Sequence, residues 1–474
     1  MKRSLPGYLP FFLALALGCQ AQIDDATRQL SHDIFKQLIE INTTNSVGNV
    51  TTAAEAMAQR LRDAGFAESD IHVLGPNDRK KNLVVRFHGA GQHKPVLLIG
   101  HLDVVEARRE DWTTDPFQFV EKDGYYYGRG TQDMKDGDAI MLTTLIRFKK
   151  EGYVPDRDII LALTADEEGG SFNGVNWLVT NHRELIDADF VLNHDGGGVL
   201  GENGKAIVME VDATEKIYAD FQFTVTNPGG HSSLPVPDNA IYHLADGLGR
   251  LQHLQFPFEL NNVTRAYYQA SAKVEPGPRA ADMLAILNTP PDMAAAERLS
   301  QDPIDNSTLH TTCVATRLNA GHANNALPQM AQAIVNCRIL PGHTAAEVRA
   351  KLVEVLADPK IEVRYIGAIG VVQDNPVERP PMAPPPLRRD VFGALEKVTE
   401  EMWPGVPVIP DMADGASDDI YTNPVGMPSY NISGEQLDRD DIRAHGKDER
   451  IPVKSFYRGV EFYYRYMKAL TSEK

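Results

Sequence analysis

Long apolar runs are nearly missing from this chain of 474 residues. The one exception, residues 8–17, is too short to cross a bilayer as a permanent helix. It follows Lys2 and Arg3, and a basic start before a short apolar stretch is typical of a secretory signal. We therefore predict a signal peptide over residues 1–21 and a mature chain without a membrane span. Cleavage after Ala21 would give a secreted or periplasmic protein, and lipid attachment at Cys19 is the less favoured alternative.

Cysteine and positive charge are also scarce. The chain has three cysteines, and two of them, Cys313 and Cys337, remain after the predicted cleavage. In an oxidising compartment this pair could form a disulfide, or both could be small buried hydrophobic side chains. Acidic residues number 65 against 47 basic ones, which gives a net charge of −18. Because such a chain repels phosphate, nucleic acid is not an expected partner.

The first part of the chain alternates helical spacing with short, continuously apolar runs, for example at residues 95–100 and 158–165. Such runs indicate strands that are buried on both faces, hence a layered α/β domain with a largely parallel sheet. A chain of this length is expected to form more than one domain. We assign residues 22–214 and 384–474 to this larger domain.

From about residue 215 the pattern changes to strict alternation. Between residues 217 and 225, five apolar residues are separated by polar ones, which predicts a strand with one buried face in an antiparallel sheet. Predicted strands at 308–318 and 331–340 suggest a hairpin, and Thr344 with Glu347 forms a capping-box pattern at a helix start. Residues 215–383 thus read as a smaller inserted α+β domain. Six prolines within 376–386 predict a stiff connector that is neither helix nor sheet.

Histidine and acidic side chains follow the ends of three predicted strands. These residues are His101 and Asp103, Glu167 and Glu168, and Asp195. In open α/β sheets ligands bind beyond the carboxyl ends of the strands, so we expect these side chains to meet. Asp133 follows a glycine-containing loop at a helix start, from which it could reach the same edge.

An empty cluster of one histidine and several carboxylates would be destabilised by charge repulsion, which a divalent cation removes. A mixture of imidazole and carboxylate suits zinc, with manganese or cobalt possible. Two metals that share one bridging carboxylate would use these ligands economically. The sequence therefore predicts a metal centre, most economically with two Zn²⁺ ions.

Five stretches resemble the ordered motifs of the M20 metallopeptidases: LLIGHLDVV, YYYGRGTQDMKDG, TADEEGG, GGHSS and RAHGKDE. The resemblance covers nearly everything after the signal peptide. It is closest to the branch of Gly-X carboxypeptidases and N-acyl-amino-acid hydrolases, through NNALPQMAQAIVNCRILPG and GASDD. It implies a two-zinc catalytic domain, a lid/dimerisation domain inserted into it, and a possible homodimer through that lid.

The resemblance also implies a role for each matching metal ligand. His101 and Asp195 would hold one zinc, Glu168 and His445 would hold the other, and Asp133 would bridge them.

Further residues are expected to act on the ligands or on the substrate. Asp103 would hydrogen-bond His101 and fix its ring. Glu167 would be the general base that moves a proton from water to the leaving amine. His231, from the smaller domain, would stabilise the oxyanion, often across a dimer in this family. The substrate-contacting positions would be Asn325, Arg338, Gly415, Ala416 and Ser417.

The expected activity is hydrolysis of the amide bond next to a C-terminal free amino acid in a small peptide or N-acyl amino acid. Carboxypeptidase, dipeptidase and N-acyl-amino-acid hydrolase activities all fit this description. Asp195 departs from the closest branch, which usually has glutamate there, and so also suggests a two-zinc aminopeptidase, whereas Arg338 opposes one. A non-catalytic binding protein on the same fold is a further alternative, but it would not need Glu167 beside the metal.

Overall fold

The structure is a computed structural model that describes residues 23–201, 203–367, 370–376 and 382–472. The predicted signal peptide, with Cys19, and residues 377–381 of the predicted connector lie outside these ranges. Residues 382–386 of the connector have no regular secondary structure, as predicted. No helix in the described part of the chain is both long and apolar enough to span a membrane.

The helices are α1 (Asp25–Glu40), α2 (Val50–Asp63), α3 (Lys135–Glu151), α4 (Gly174–Asn181), α5 (Arg183–Ile186), α6 (Ala240–Leu251), α7 (Asn262–Ser271), α8 (Pro278–Ala285), α9 (Met293–Leu299), α10 (Pro303–Leu309), α11 (Ala345–Leu356), α12 (Arg389–Met402), α13 (Asp419–Thr422) and α14 (Val453–Leu470). The strands are β1 (Ile71–Leu74), β2 (Asn82–Phe87), β3 (Val96–His101), β4 (Val120–Lys122), β5 (Tyr125–Tyr127), β6 (Ile159–Thr164), β7 (Phe190–Asn193), β8 (Gly198–Leu200), β9 (Ala206–Glu215), β10 (Ile217–Thr226), β11 (Gly230–His231), β12 (Thr312–Ala320), β13 (Ala326–Leu327), β14 (Met330–Ile339), β15 (Glu362–Ile366), β16 (Val372–Gln373), β17 (Val408–Ala413), β18 (Ser429–Asn431), β19 (Gln436–Asp438) and β20 (Arg450–Pro452).

Ten strands form the larger sheet, in the order β1-β2-β6-β3-β7-β18-β9-β8-β19, with β17 paired to β9. Its centre is parallel, because β6, β3, β7 and β18 run in the same direction, while β1, β2 and β8 add antiparallel pairs. Helices that include α1, α3 and α14 bury one face of this sheet, and α4 covers part of the other. Every residue of β3 and β6 is buried. The predicted layered α/β architecture is confirmed.

Five antiparallel strands form the smaller sheet, in the order β12-β14-β10-β15-β16. Helices α6 and α11 pack on one face, against the alternating apolar residues of β10 that the sequence predicted. The capping box of Thr344 and Glu347 opens α11 as expected. The predicted strand over 308–318 begins later, at Thr312, because residues 303–309 form α10, which starts at a proline behind the N-cap Asp302.

Cys313 and Cys337 lie directly opposite each other on β12 and β14 and form a disulfide. Of the two possibilities that the sequence left open, the structure has the bonded one. The disulfide ties β12, which is an edge strand, to its neighbour β14.

The two sheets are joined with almost no linker. Strand β9 of the larger sheet ends at Glu215 and β10 of the smaller sheet begins at Ile217, so Lys216 alone separates them. Helix α7, from the range assigned to the smaller domain, packs its Tyr267 against Ile409 of the larger sheet. The domain boundaries stay predictions.

Candidate metal centre

His101 is the last residue of β3, and both the strand and the side chain are buried. Its Nδ1–H donates to the carbonyl oxygen of Asp103 at 3.0 Å. A histidine whose Nδ1 carries the proton leaves Nε2 free to bind a metal. Nε2 points at a carboxylate oxygen of Asp133, 3.0 Å away.

Asp133 lies between two imidazoles. Its Oδ1 approaches His101 Nε2 at 3.0 Å, and its Oδ2 approaches His445 Nε2 at 2.9 Å. His445 Nε2 is also 2.9 Å from a carboxylate oxygen of Glu168. One ligand atom each from His101, Asp133 and Glu168 lie within 4.8 Å of one another. These residues come from a strand end and two loops, and the structure brings them together.

Asp103 hydrogen-bonds His101, as the sequence led us to expect, but it does so through its carbonyl oxygen, and its carboxylate has other partners. Its Oδ1 is 3.9 Å from His101 Nδ1, too far for a hydrogen bond. It accepts instead from the backbone N–H groups of Glu167 and Glu168, each at 3.1 Å. Asp103 thus fixes the His101 ring through its carbonyl and the two glutamates through its side chain.

Glu167 lies beside the cluster rather than inside it. Its Oε2 is 3.8 Å from His101 Nε2. Burial raises the pKa of Glu167 well above its usual range, and the nearby charges of Asp418 and Asp195 raise it further. A carboxyl group with a raised pKa beside a metal centre can both accept and return a proton.

Asp195 follows β7 and faces the same group of residues. Desolvation by the surrounding protein raises the pKa of Asp195 to about 6, although the residue is exposed at the open side of the site, and the charge of Asp133 adds to this effect. Mutual repulsion among the carboxylates is thus a property of the folded site. Two imidazoles and three carboxylates are a donor set that suits zinc, so the residues present fit the predicted metals.

His231 lies on β11 opposite Ala326 of β13, and Asn325 immediately precedes β13. The carbonyl of Asn325 accepts from the N–H of Ser232 at 3.1 Å. The backbone N–H of Ser233 donates to Nδ1 of His231 at 3.1 Å, so the ring proton sits on Nε2. Both predicted residues are exposed, and within the described residues no hydrogen bond or ion pair joins His231 to the metal cluster.

Arg338 lies on β14 at the edge of a cavity of about 740 Å³ on the open face of the smaller sheet. Its guanidinium stacks over the ring of Tyr218 at 4.6 Å, and Nη1 donates to the carbonyl of Asp414 at 3.2 Å. Gly415 and Ala416 follow at the surface. Ser417 is buried, and its N–H and hydroxyl both donate to Glu215. The serine side chain therefore faces away from solvent.

Several residues that shape the centre were not singled out from the sequence. Arg129 and Glu449 form a buried ion pair at 2.5 Å between the Asp133 and His445 loops. Lys80 pairs with Asp166, the residue immediately before Glu167. Glu449 and Arg129 both lie inside motif stretches, so the signal was present, but partners 320 residues apart become apparent only in the fold.

The chain matches the family described as Peptidase family M20/M25/M40 over residues 97–469. The N-fatty-acyl-amino acid synthase/hydrolase PM20D1 of Xenopus tropicalis is 29% identical over 376 residues, 78% of this chain and 71% of that protein. The probable carboxypeptidase S-like 2 of Dictyostelium discoideum is 28% identical over 91% of this chain and 88% of its own length. A metallo-carboxypeptidase structure from Sulfolobus solfataricus superposes with a TM-score of 0.69 at 15% identity, covering 95% of this chain and 100% of that one.

Proposed function

This chain belongs to peptidase family M20/M25/M40 and is a metallohydrolase of that family, and we propose that it uses two zinc ions to cleave the amide bond next to a free C-terminal amino acid. The observation that carries the proposal is the position of Asp133, whose two oxygens face His101 and His445 at 3.0 and 2.9 Å. A carboxylate that faces two separate metal ligands is placed to bridge two ions. His101 and Asp195 would hold one zinc, and Glu168 and His445 the other.

When bound, the zinc ions supply Lewis-acid polarisation of the scissile carbonyl and lower the pKa of water. Glu167 accepts the proton of the attacking water and returns it to the leaving nitrogen. Its raised pKa suits both steps, because a strongly acidic carboxyl would hold the proton too weakly. Asp103 keeps the Glu167 backbone in place.

The substrate is an N-acyl amino acid or a small peptide with a free carboxylate. Two relatives support this class, since one is named as an N-fatty-acyl-amino acid synthase/hydrolase and the other as a probable carboxypeptidase. Arg338 offers a planar guanidinium that suits a carboxylate. Tyr218 and the Asp414 carbonyl hold that guanidinium at the cavity edge. His231 donates its Nε2–H to the oxyanion, since Ser233 fixes that tautomer.

The protein acts outside the cytoplasm, in the periplasm or medium. The basic and apolar start of the sequence supports export. The disulfide between Cys313 and Cys337 supports an oxidising compartment.

A homodimer through the smaller domain completes the proposal. Edge strand β12 supports it, because within the described residues β12 pairs with β14 alone and presents Val314 and Leu318 to solvent. Light scattering of the purified protein tests this assembly, and a monomer at micromolar concentration would contradict it.

A substrate panel with controlled metal content tests the activity. We expect zinc-loaded protein to hydrolyse N-acyl amino acids and dipeptides with a free C-terminus, and to be slow on C-amidated dipeptides. Dialysis against a chelator should abolish hydrolysis, and zinc should restore it. Full activity in protein shown by elemental analysis to be metal-free would contradict the mechanism. Cleavage of C-amidated dipeptides together with no cleavage of N-blocked substrates would identify an aminopeptidase. Zinc binding without any hydrolysis would identify a binding protein.

A further inference from the structure

Two loops that carry proposed metal ligands are joined at their bases by a short ladder. Strand β5 ends at Tyr127, immediately before the loop that delivers Asp133, and β20 begins at Arg450, soon after His445. These strands are antiparallel neighbours, with Arg450 opposite Tyr127. The ladder brings the loops side by side but does not reach their tips, where the ligands lie.

Just beyond the ladder, the two loops are joined again by the ion pair of Arg129 and Glu449, whose side chains are both buried. Oε1 of Glu449 accepts from the N–H groups of Gln132 at 2.7 Å and Asp133 at 3.3 Å. Its Oε2 accepts from Gly130 N–H at 3.2 Å and from Arg129 Nη1 at 2.5 Å. Glu449, on the His445 loop, thereby fixes the backbone path that leads into Asp133.

Arg129 makes the reverse connection. It belongs to the Asp133 loop, and its Nη2 donates to the carbonyls of His445 at 3.2 Å and Gly446 at 3.0 Å. One guanidinium thus spans Glu449 and the backbone of His445 itself. A lysine has a single nitrogen at its tip and cannot keep this fork of contacts.

We propose that Arg129 and Glu449 are a positioning pair that sets the separation of Asp133 and His445, and thereby the affinity of the metal that these two residues share. The inference rests on the proposed function for the ligand assignment. The other proposed metal depends less on the pair, because His101 is fixed separately by the Asp103 carbonyl. The pair therefore acts more strongly on the site that contains His445, because the other site shares only Asp133 with it, whereas a general loss of stability would weaken both sites alike.

Glu449→Gln is the most direct variant. It keeps the size of the side chain, but its NH₂ group must face either backbone N–H groups or Arg129, which are all donors. Arg129→Lys keeps the charge and removes the fork. A matched control is Arg157→Lys, because Arg157 forms another buried pair, with Asp156 at 2.9 Å, at the opposite end of β6 from the metal centre.

The measurement is zinc affinity by competition with a chromophoric chelator, together with the visible spectrum of the cobalt-substituted protein. We expect wild type to bind two zinc ions. Glu449→Gln should weaken one site about 10–100-fold, the range typical for loss of a partner that orients a metal ligand, with the other site changed less than about threefold. Arg129→Lys should weaken the same site and alter the cobalt spectrum, whereas Arg157→Lys should match wild type.

Two results would overturn the inference. Wild-type affinity at both sites in Glu449→Gln and Arg129→Lys would remove the pair from metal positioning, and so would equal weakening of both sites. Should Glu449→Gln fail to fold by circular dichroism, Arg129→Lys decides by itself. Failure of the proposed function has a different signature, since wild-type protein would then bind fewer than two zinc ions.

Discussion

Replacing Glu167 by glutamine should separate metal binding from chemistry. The amide has the size of the carboxyl group but cannot accept a proton. The Glu167 backbone would stay in place, because the Asp103 carboxylate accepts from its N–H rather than from its side chain. Glu167 also lies outside the tight group of His101, Asp133 and Glu168. We therefore expect the variant to fold and to bind zinc with little change.

The magnitude follows from the role of the side chain. Loss of a general base costs on the order of 10²–10⁴-fold in rate, which is about 2.7–5.4 kcal/mol of transition-state stabilisation. The loss should appear in kcat with little change in KM, since Glu167 acts on the water and the leaving nitrogen. Removing one of several repelling carboxylates should also leave the protein at least as stable as wild type, because Asp418, Asp195 and Glu168 all raise the pKa of Glu167.

The assay is steady-state hydrolysis of an N-acyl amino acid, with zinc content measured on the same samples. Glu168→Gln is the contrasting variant and should lose zinc as well as activity. Glu121→Gln, on an exposed position of β4, is the matched control and should behave as wild type. Activity of Glu167→Gln within a few-fold of wild type, at full zinc occupancy, would refute its assignment as the base.

Three further outcomes are expected. Arg338→Met should lower kcat/KM on acids about 10–150-fold, from a charge-assisted contact of about 1.5–3 kcal/mol, and should leave C-amidated substrates nearly unaffected. Replacing both Cys313 and Cys337 by alanine should lower the free energy of unfolding by about 3–4 kcal/mol in urea titrations, because the disulfide closes a loop of 24 residues. Asp411 lies opposite Asp212 on paired strands, and burial raises its pKa to about 7, so its folded form holds a proton that the unfolded chain releases near pH 4. The pair therefore lowers stability as pH rises from about 4 to about 7, and Asp411→Asn should raise the melting temperature at pH 8 more than at pH 5. An equal shift at both pH values would contradict the titration of this pair.

Residues at strand ends were predictable from the sequence. The apolar runs before His101 and Glu167 fix where β3 and β6 stop, and parallel neighbours bring those ends to one edge. His445 could not be found this way, because it lies on a loop whose position depends on pairing between β5 and β20. Motif resemblance identified it, since local patterning contains no information about contacts so distant in the chain.

Side-chain direction was harder to predict than position. Asp103 hydrogen-bonds His101 as expected, but with its carbonyl oxygen, because its carboxylate accepts from the backbone N–H groups of Glu167 and Glu168. Ser417 was expected to contact substrate, and its role there stays a prediction, although its hydroxyl donates to the buried Glu215. Glu215 is 202 positions earlier in the chain, and only the folded sheet brings the two together. Burying the Glu215 carboxylate without a hydrogen-bond partner would be costly, which explains why the Ser417 side chain faces inward.

The one-residue junction between β9 and β10 makes the two sheets mechanically continuous. Lys216 is held from the side as well, because its ammonium donates to the carbonyls of Ser307 and His310 at 2.8 and 2.9 Å. With so little chain between the sheets, a tilt of the smaller sheet would be transmitted to the end of β9. Glu215 lies at that end and accepts two hydrogen bonds from Ser417. Such a tilt would therefore also move the turn at residues 415–417. The shape of the cavity edge would then change together with the angle between the two sheets.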